Sequence, residues 1–286
     1  MVCDMRERTV IISDTHLGPK HGAVRSADVL RPLWDGAAKL IVNGDVAEVH
    51  HPRHSTAAAR QVVRLAELCE TDGVTLRLIS GNHDALLTDV RHIWMGHRFV
   101  LVTHGDAIHP AIAPWSPRAD LLTASFKDAL GKFEDGSPQT LERRLSAAQH
   151  AGFTEWSNEA RFGVSPMMEL LRQPSSIFKI LSCWRQMPEM AAEFLGKLAP
   201  QARFIILGHT HREGIWPVNG RVVINTGSFG FPGHPRAVVI EGDMLSVWPI
   251  VWKRGGYRLG RKSLMEFDVT EPVRVHKGVI VRRVAA

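Results

Sequence analysis

The chain has 286 residues, 44% of them hydrophobic and 22% charged, with a formal net charge of +6. That balance supports a buried core and excludes a low-complexity or intrinsically disordered chain, and the length suits one large domain or a domain with an insertion. No apolar run is long enough to span a bilayer, and no long apolar stretch precedes the first charges, so neither a membrane span nor a secretory leader is expected.

In chain order, Thr9-Val10-Ile11-Ile12 reads as a strand running into Ser13-Asp14-Thr15-His16. Leu40-Ile41-Val42 runs into Asn43-Gly44-Asp45, and Leu76-Arg77-Leu78-Ile79 into Gly81-Asn82-His83-Asp84. Between these two, Ala57 to Cys69 has helical spacing, with Val62, Val63, Leu65, Ala66 and Cys69 on roughly one face. Phe99-Val100-Leu101-Val102 leads to His104-Gly105-Asp106. From about Ile108 to Leu198 helical runs take over, rich in Trp and Met, among them Trp115, Trp156, Trp184, Met187 and Met190. Here Ile177, Leu181, Trp184, Met187, Ala191, Phe194 and Leu198 predict an apolar stripe on a helix that Pro188 should kink or split. Strands resume with Phe204-Ile205-Ile206-Leu207 before Gly208-His209-Thr210-His211, and Val222-Val223-Ile224 before Asn225-Thr226-Gly227-Ser228. Asn219-Gly220 signals a tight hairpin just before the last of these.

Continuous apolar runs of this length predict strands buried on both faces. Strand alternating with helix predicts an α/β layered fold. The predicted organisation is a core built from residues 1–107 and 203–286, interrupted by a helical insertion over 108–202. The scattered Cys3, Cys69 and Cys183 lack zinc-ligand spacing and fit free thiols in a reducing, cytoplasmic setting.

From Val251 to the end the chain carries nine Lys/Arg against three Asp/Glu, so this basic C-terminal extension accounts for the whole net charge. Basic clusters attract polyanions, which makes peripheral association with an anionic membrane an expectation. Nucleic acid is disfavoured, because the charge sits far in sequence from the polar motifs. The alternating Val273, Val275, Val279 and Val281 predict an edge strand.

Five of the strand-end motifs supply metal-capable groups. Asp14 and His16, two residues apart, are expected to leave an extended backbone on one side, and His209 and His211 repeat that spacing. Gly44 lets the chain turn sharply before Asp45. Asn82 offers an amide oxygen and His104 an imidazole. Mixed nitrogen and oxygen donors suit Mn, Fe, Zn or Co better than Mg or Ca.

In this order the five motifs resemble the signature of the calcineurin-like metallophosphoesterases. The resemblance covers about residues 8–107 and 203–250. It implies two β-sheets packed together and flanked by helices. It also implies two divalent transition-metal ions, Mn above all. Asp14, His16, Asp45 and His211 would hold one ion, and Asp45, Asn82, His104 and His209 the other. A hydroxide shared by the ions is the implied nucleophile. His83 would protonate the leaving group or steady phosphoryl charge together with Asn82, and Glu48 would orient His83. Arg53, with His50, His51 and His54, is a candidate for binding substrate phosphate.

Two of these motifs, with the helical insertion, further resemble the bacterial UDP-2,3-diacylglucosamine diphosphatases, which cleave a lipid-nucleotide pyrophosphate at the inner membrane face. That resemblance implies an apolar cap formed by the insertion. The chain departs from it at His83, where that family has Arg. The implied substrate is therefore either a phosphorylated small molecule or a lipid nucleotide. A metal-binding scaffold without activity is the reading from another class, and its mark would be missing ligands.

Overall fold

Alternate side chains of a single strand enter different cores in this protein, and that alternation builds its layers. The computed structural model describes residues 8–18, 23–51, 54–132, 139–157, 174–230, 233–273, 275–276 and 279–280. In chain order come β1 (Thr9–Ile12), a 3-10 helix (Ala27–Trp34), β2 (Lys39–Asn43), α1 (Ser55–Thr71) and β3 (Thr75–Ile79). They are followed by β4 (His92–Met95), β5 (Val100–Thr103), α2 (Ala119–Gly131), α3 (Leu141–Ser157) and α4 (Pro174–Leu198). The chain continues through β6 (Phe204–Leu207), β7 (Gly214–Val218), β8 (Arg221–Asn225), β9 (Arg236–Glu241), β10 (Met244–Lys253), β11 (Gly256–Leu259) and β12 (Met265–Asp268).

The larger sheet has the order β11-β10-β9-β1-β2-β3, with β12 also paired to β10, and the smaller has the order β4-β5-β6-β8-β7. β1, β2 and β3 run parallel, as do β5, β6 and β8. Ile11, Ile41, Ile79 and Val238 of the larger sheet meet Val100, Val102, Phe204, Ile206 and Ile224 of the smaller in a central core. One residue along, Val10, Ile12, Leu40 and Val42 face the other way, onto the 3-10 helix and α1. Leu101, Ile205, Leu207 and Val223 face α2, α3 and α4. Period-2 alternation in runs that are apolar throughout therefore yields two packed sheets with helices on both outer faces. Each fully buried Val or Ile contributes roughly 1.5–3 kcal/mol.

Four local expectations are corrected. β3 ends the larger sheet, and its Thr75 and Arg77 are exposed, so it is an edge strand and not one buried on both faces. On α1 the buried residues are Ala58, Leu65, Leu68 and Cys69, whereas Val63 is 57% exposed. α4 is one helix straight across Pro188. Proline offers no N–H to the carbonyl four residues back, and here Arg212 Nη1 donates to that Trp184 carbonyl at 2.8 Å. Residues Val275–His276 and Val279–Ile280 pair with each other as a separate two-stranded sheet and join neither large one. The hairpin at Asn219-Gly220 forms as its chemistry dictates, with φ of 51° and 73° at the two turn residues. No helix of the described residues is long and apolar enough to cross a membrane.

Candidate metal centre

Parallel strands deliver their carboxyl ends to one side, and the polar motifs collect there. Asp14, His16, Asp45, Asn82 and His83 follow β1, β2 and β3, whereas His104, His209 and His211 follow β5 and β6. Asp14, His16, Asp45, Asn82, His104 and His209 are buried, an unusual density of polar side chains for an interior.

Two groups of ligand-type atoms share Asp45. Donors of Asp14, His16, Asp45 and His211 lie within 4.8 Å of one another, and so do those of Asp45, His104 and His209. Asp45 Oδ2 is 3.3 Å from His104 Nε2 and 3.8 Å from His16 Nε2. His16 Nε2 and His211 Nε2 approach to 3.2 Å, and His211 Nε2 is 3.3 Å from Asp14 Oδ1.

The chemistry of this donor set fits cations. His16 Nδ1 donates to Glu48 Oε1 at 2.7 Å, His104 Nδ1 to the Asn43 carbonyl at 3.0 Å, and His209 Nε2 to the Ile112 carbonyl at 2.9 Å. A carbonyl or carboxylate can only accept, so each ring carries a proton on its outer nitrogen, as metal-binding histidines do, and the inner nitrogen is the one left to face a cation once it gives up any proton of its own. Asn82 Oδ1 is buried without a hydrogen-bond partner. An acceptor left bare in an interior is costly unless a cation meets it.

The backbone beneath these groups departs from the expected extended form. φ is 51° at Asp14, 42° at His16, 48° at Asp45, 67° at His209 and 58° at His211. Each of these residues sits in the left-handed region that side chains disfavour. The two-residue spacing thus converges through strained turns and not through strand pleating. Gly44 (φ 82°) is close-packed as expected: a Cβ there would lie 2.3 Å from His104 Cγ.

Electrostatics follow the crowding. Burial pushes against the charged form of His104, but the Asp45 carboxylate and other acids outweigh it, and its pKa is pushed up to about 10. His209 goes the other way, down to about 4, through burial and the neighbouring His104 charge. Burial would raise the Glu48 carboxyl, yet His83 and His16 hold it well below the usual carboxylate range. Glu48 Oε2 is 3.1 Å from His83 Nδ1, so this one carboxylate touches both His16 and His83. Burial opposes the charged form of His83, and Glu48 and Asp45 overcome it to raise its pKa well above the ordinary value. His83 N donates to Asp45 Oδ1 at 2.9 Å.

Of the remaining candidates, Arg53 lies outside the described residues. His50 Nε2 accepts from Leu86 N, and His51 stacks on His54 with ring centroids 4.4 Å apart. Sequence reasoning passed over the residues that hold the loops. Asn43 Nδ2 donates to the Thr103 and Ile206 carbonyls, which pins the two sheets together beneath the centre. Asn225 donates to Gly208 O and Thr210 Oγ1. Arg91 pairs with Asp106 at 2.6 Å, both buried, and also donates to Gly81 O. Asp84 accepts from Gly81 N and Val46 N, both at 2.6 Å. An Asn closing an otherwise apolar strand was the available signal at positions 43 and 225.

A family profile described as calcineurin-like phosphoesterase matches residues 7–213. The chain belongs to the calcineurin-like phosphoesterase family. Membership makes it a metal-dependent phosphoesterase, and the Asp/His clusters are where such a calcineurin-like enzyme would bind divalent metal. Several solved structures resemble it weakly. A Vps29 single mutant from Entamoeba histolytica is 14% identical, covering 90% of this chain and 99% of that one at a TM-score of 0.42. The Escherichia coli phosphoesterase Yfce is 15% identical, covering 92% and 99% at a TM-score of 0.42. A conserved uncharacterised protein from Streptococcus pneumoniae, described as a predicted phosphoesterase, is 13% identical, covering 90% and 97% at a TM-score of 0.37. A search of curated proteins gives no match.

Proposed function

We propose that the protein hydrolyses phosphoesters with two divalent transition-metal ions, Mn being the favoured pair. Asp14, His16, Asp45 and His211 would hold one ion, and Asp45, Asn82, His104 and His209 the other. The observation that carries this reading is the sharing of Asp45 between two donor clusters in which His16, His104 and His209 each engage an acceptor through the outer ring nitrogen. Bound ions would supply Lewis acidity and a water deprotonated near neutral pH.

The chain's own residues supply the rest. Asn82 and His83 bind phosphoryl oxygens, and Arg53 is a further candidate for that contact. His83 holds a proton for the leaving oxygen. Glu48 accepts from His83 Nδ1 and so keeps the opposite nitrogen directed away from itself and the ring cationic. Glu48 also fixes the His16 ring, which makes it a positioning residue for a ligand and for the acid together.

Two measurements test the reading. Elemental analysis after Mn²⁺ loading should give about two ions per chain. Folded protein that takes up none, or only one, overturns the dinuclear assignment. His83→Ala should keep its metals and lose roughly 10²–10⁴ in kcat for alkyl esters, with a smaller loss for p-nitrophenyl phosphate, which leaves without protonation. Equal losses for both would leave His83 an electrostatic role only.

A second reading is pyrophosphate hydrolysis of a lipid nucleotide at the inner face of a membrane. It is favoured by the first half of α4, where Ile177, Phe178 and Leu181 are 43%, 74% and 51% exposed. Activity on UDP-diacylglucosamine that exceeds activity on simple esters would select it.

A further inference from the structure

The insertion reaches the centre through one face of α3. Gln149, Gly152, Phe153 and Trp156 recur at helical spacing, and all four meet the loops that carry His50 and His83. Gln149 Nε2 donates to the Ala85 carbonyl at 2.7 Å. A Cβ on Gly152 would lie 3.2 Å from Asn82 Cα, so the helix lies directly against the ligand-bearing loop. The Phe153 ring is 6.1 Å from that of His50. Trp156 Nε1 donates to the Asn82 carbonyl at 3.0 Å, and its ring stands 5.4 Å from the His83 ring at 61°.

That hydrogen bond fixes the indole against the residue beside which a leaving group must depart. Both rings are only partly buried, so the indole borders the space in which His83 meets an ester oxygen. A tryptophan offers a flat apolar surface with directional preference for other aromatic rings. An alkyl leaving group gains little from it, and an anionic one nothing. The indole is also 6.4 Å from the His51 ring, and a ring attached directly to an ester oxygen held at His83 would come within its reach. A nucleobase stands a ribose further away.

We propose that Trp156 is a specificity-determining residue of this phosphoesterase and that it selects aryl phosphoesters by stacking on the leaving group beside His83. The inference rests on the phosphoesterase reading above. It is independent of the role of Trp184, whose Nε1 is bound to the Thr210 carbonyl on the opposite ligand loop.

The test is calorimetric binding of phenylphosphonate, methylphosphonate and adenosine 5′-monophosphate to the manganese-loaded protein, with metal content measured for each variant. The wild type should bind phenylphosphonate about tenfold more tightly than methylphosphonate. Trp156→Leu should erase that ratio whatever it does to the methylphosphonate affinity itself, because a shift of the Asn82 loop affects both phosphonates alike. Trp156→Phe, which keeps a ring but loses the N–H, should retain most of it. A wild-type ratio near one, or a ratio unchanged in Trp156→Leu, overturns the proposal and leaves the phosphoesterase reading standing. A loss confined to adenosine 5′-monophosphate overturns the placement beside the ester oxygen. If neither phosphonate binds a metal-loaded protein, both readings fall. Should Trp156→Leu not fold, loss of the preference in Trp156→Phe overturns the proposal.

Discussion

Gly44 shows how little freedom a single position has at this site. Its φ of 82° and the 2.3 Å approach of a hypothetical Cβ to the His104 ring leave no room for a side chain. The His104 ring is fully buried, so it can move only by disturbing what packs around it. Gly44→Ala should therefore displace His104, cost about 1–3 kcal/mol in overpacking and lower metal stoichiometry. Full metal content in a folded Gly44→Ala protein would show that the ring can yield. Asp-x-His, Gly-Asp, Gly-Asn-His-Asp and His-x-His were legible because each donor type stands at the end of an apolar run. The left-handed turns at Asp14 and His211 were not legible, since nothing in the residues themselves distinguishes a strained turn from a pleated strand.

Among the elements, α4 best illustrates a local rule answered from a distance. Pro188 should interrupt the helix, but Arg212, which follows the ligand His211, satisfies the Trp184 carbonyl that proline leaves bare. The helix and the ligand loop are thus tied twice, because Trp184 Nε1 also donates to the Thr210 carbonyl at 2.7 Å. Arg212→Met should cost about 1 kcal/mol in the presence of Pro188. With Pro188→Ala the restored N–H reclaims the carbonyl, so the same substitution should cost less. A double-mutant cycle read by chemical denaturation should give a coupling of about 0.5–3 kcal/mol. Zero coupling would mean that the Arg212 contact contributes nothing to the helix. β1, β2, β5, β6 and β8 were legible to within a residue or two because each holds an apolar run rich in Val, Ile and Leu. The helix faces were less so: Val63 looks apolar enough to be core but points to solvent, and Met187, Ala191 and Phe194 are buried whereas Ile177 and Leu181 on the same stripe are exposed. Where a second layer lies on a helix decides this, and that is set by tertiary packing.

For the molecule as a whole, the centre lies where both sheets end, and ligands from three loops of one sheet face ligands from two of the other. Cations bound there would act as a clasp between sheets. Mn²⁺ at a hundred times its dissociation constant should stabilise the fold by about 2.7 kcal/mol per site, raising Tm by roughly 4–5 °C for each. A Tm indifferent to chelator would place the metal elsewhere. Loading should also release protons. With its pKa pushed up to about 10, His104 is protonated in the metal-free chain at neutral pH and must surrender that proton to bind. Affinity should thus rise with pH towards that value. Calorimetry at about pH 7.5 in buffers of different ionisation enthalpy should report a release of about one proton or more. No release would mean that His104 is already neutral.

The left-handed backbone at Asp14, His16, Asp45, His209 and His211 carries a consequence for descent. Each such conformation costs of order 1–3 kcal/mol unless the surroundings compensate. Glycine at any of these positions relieves the strain and abolishes a ligand in the same step. For a lineage released from selection on its chemistry, that relief favours decay of the centre at each position and opposes its restoration. The metal-free fold should give up strain at each ligand it surrenders, whereas at Asp14 and Asp45 the N–H groups of His209 and His83 would lose their acceptor in exchange.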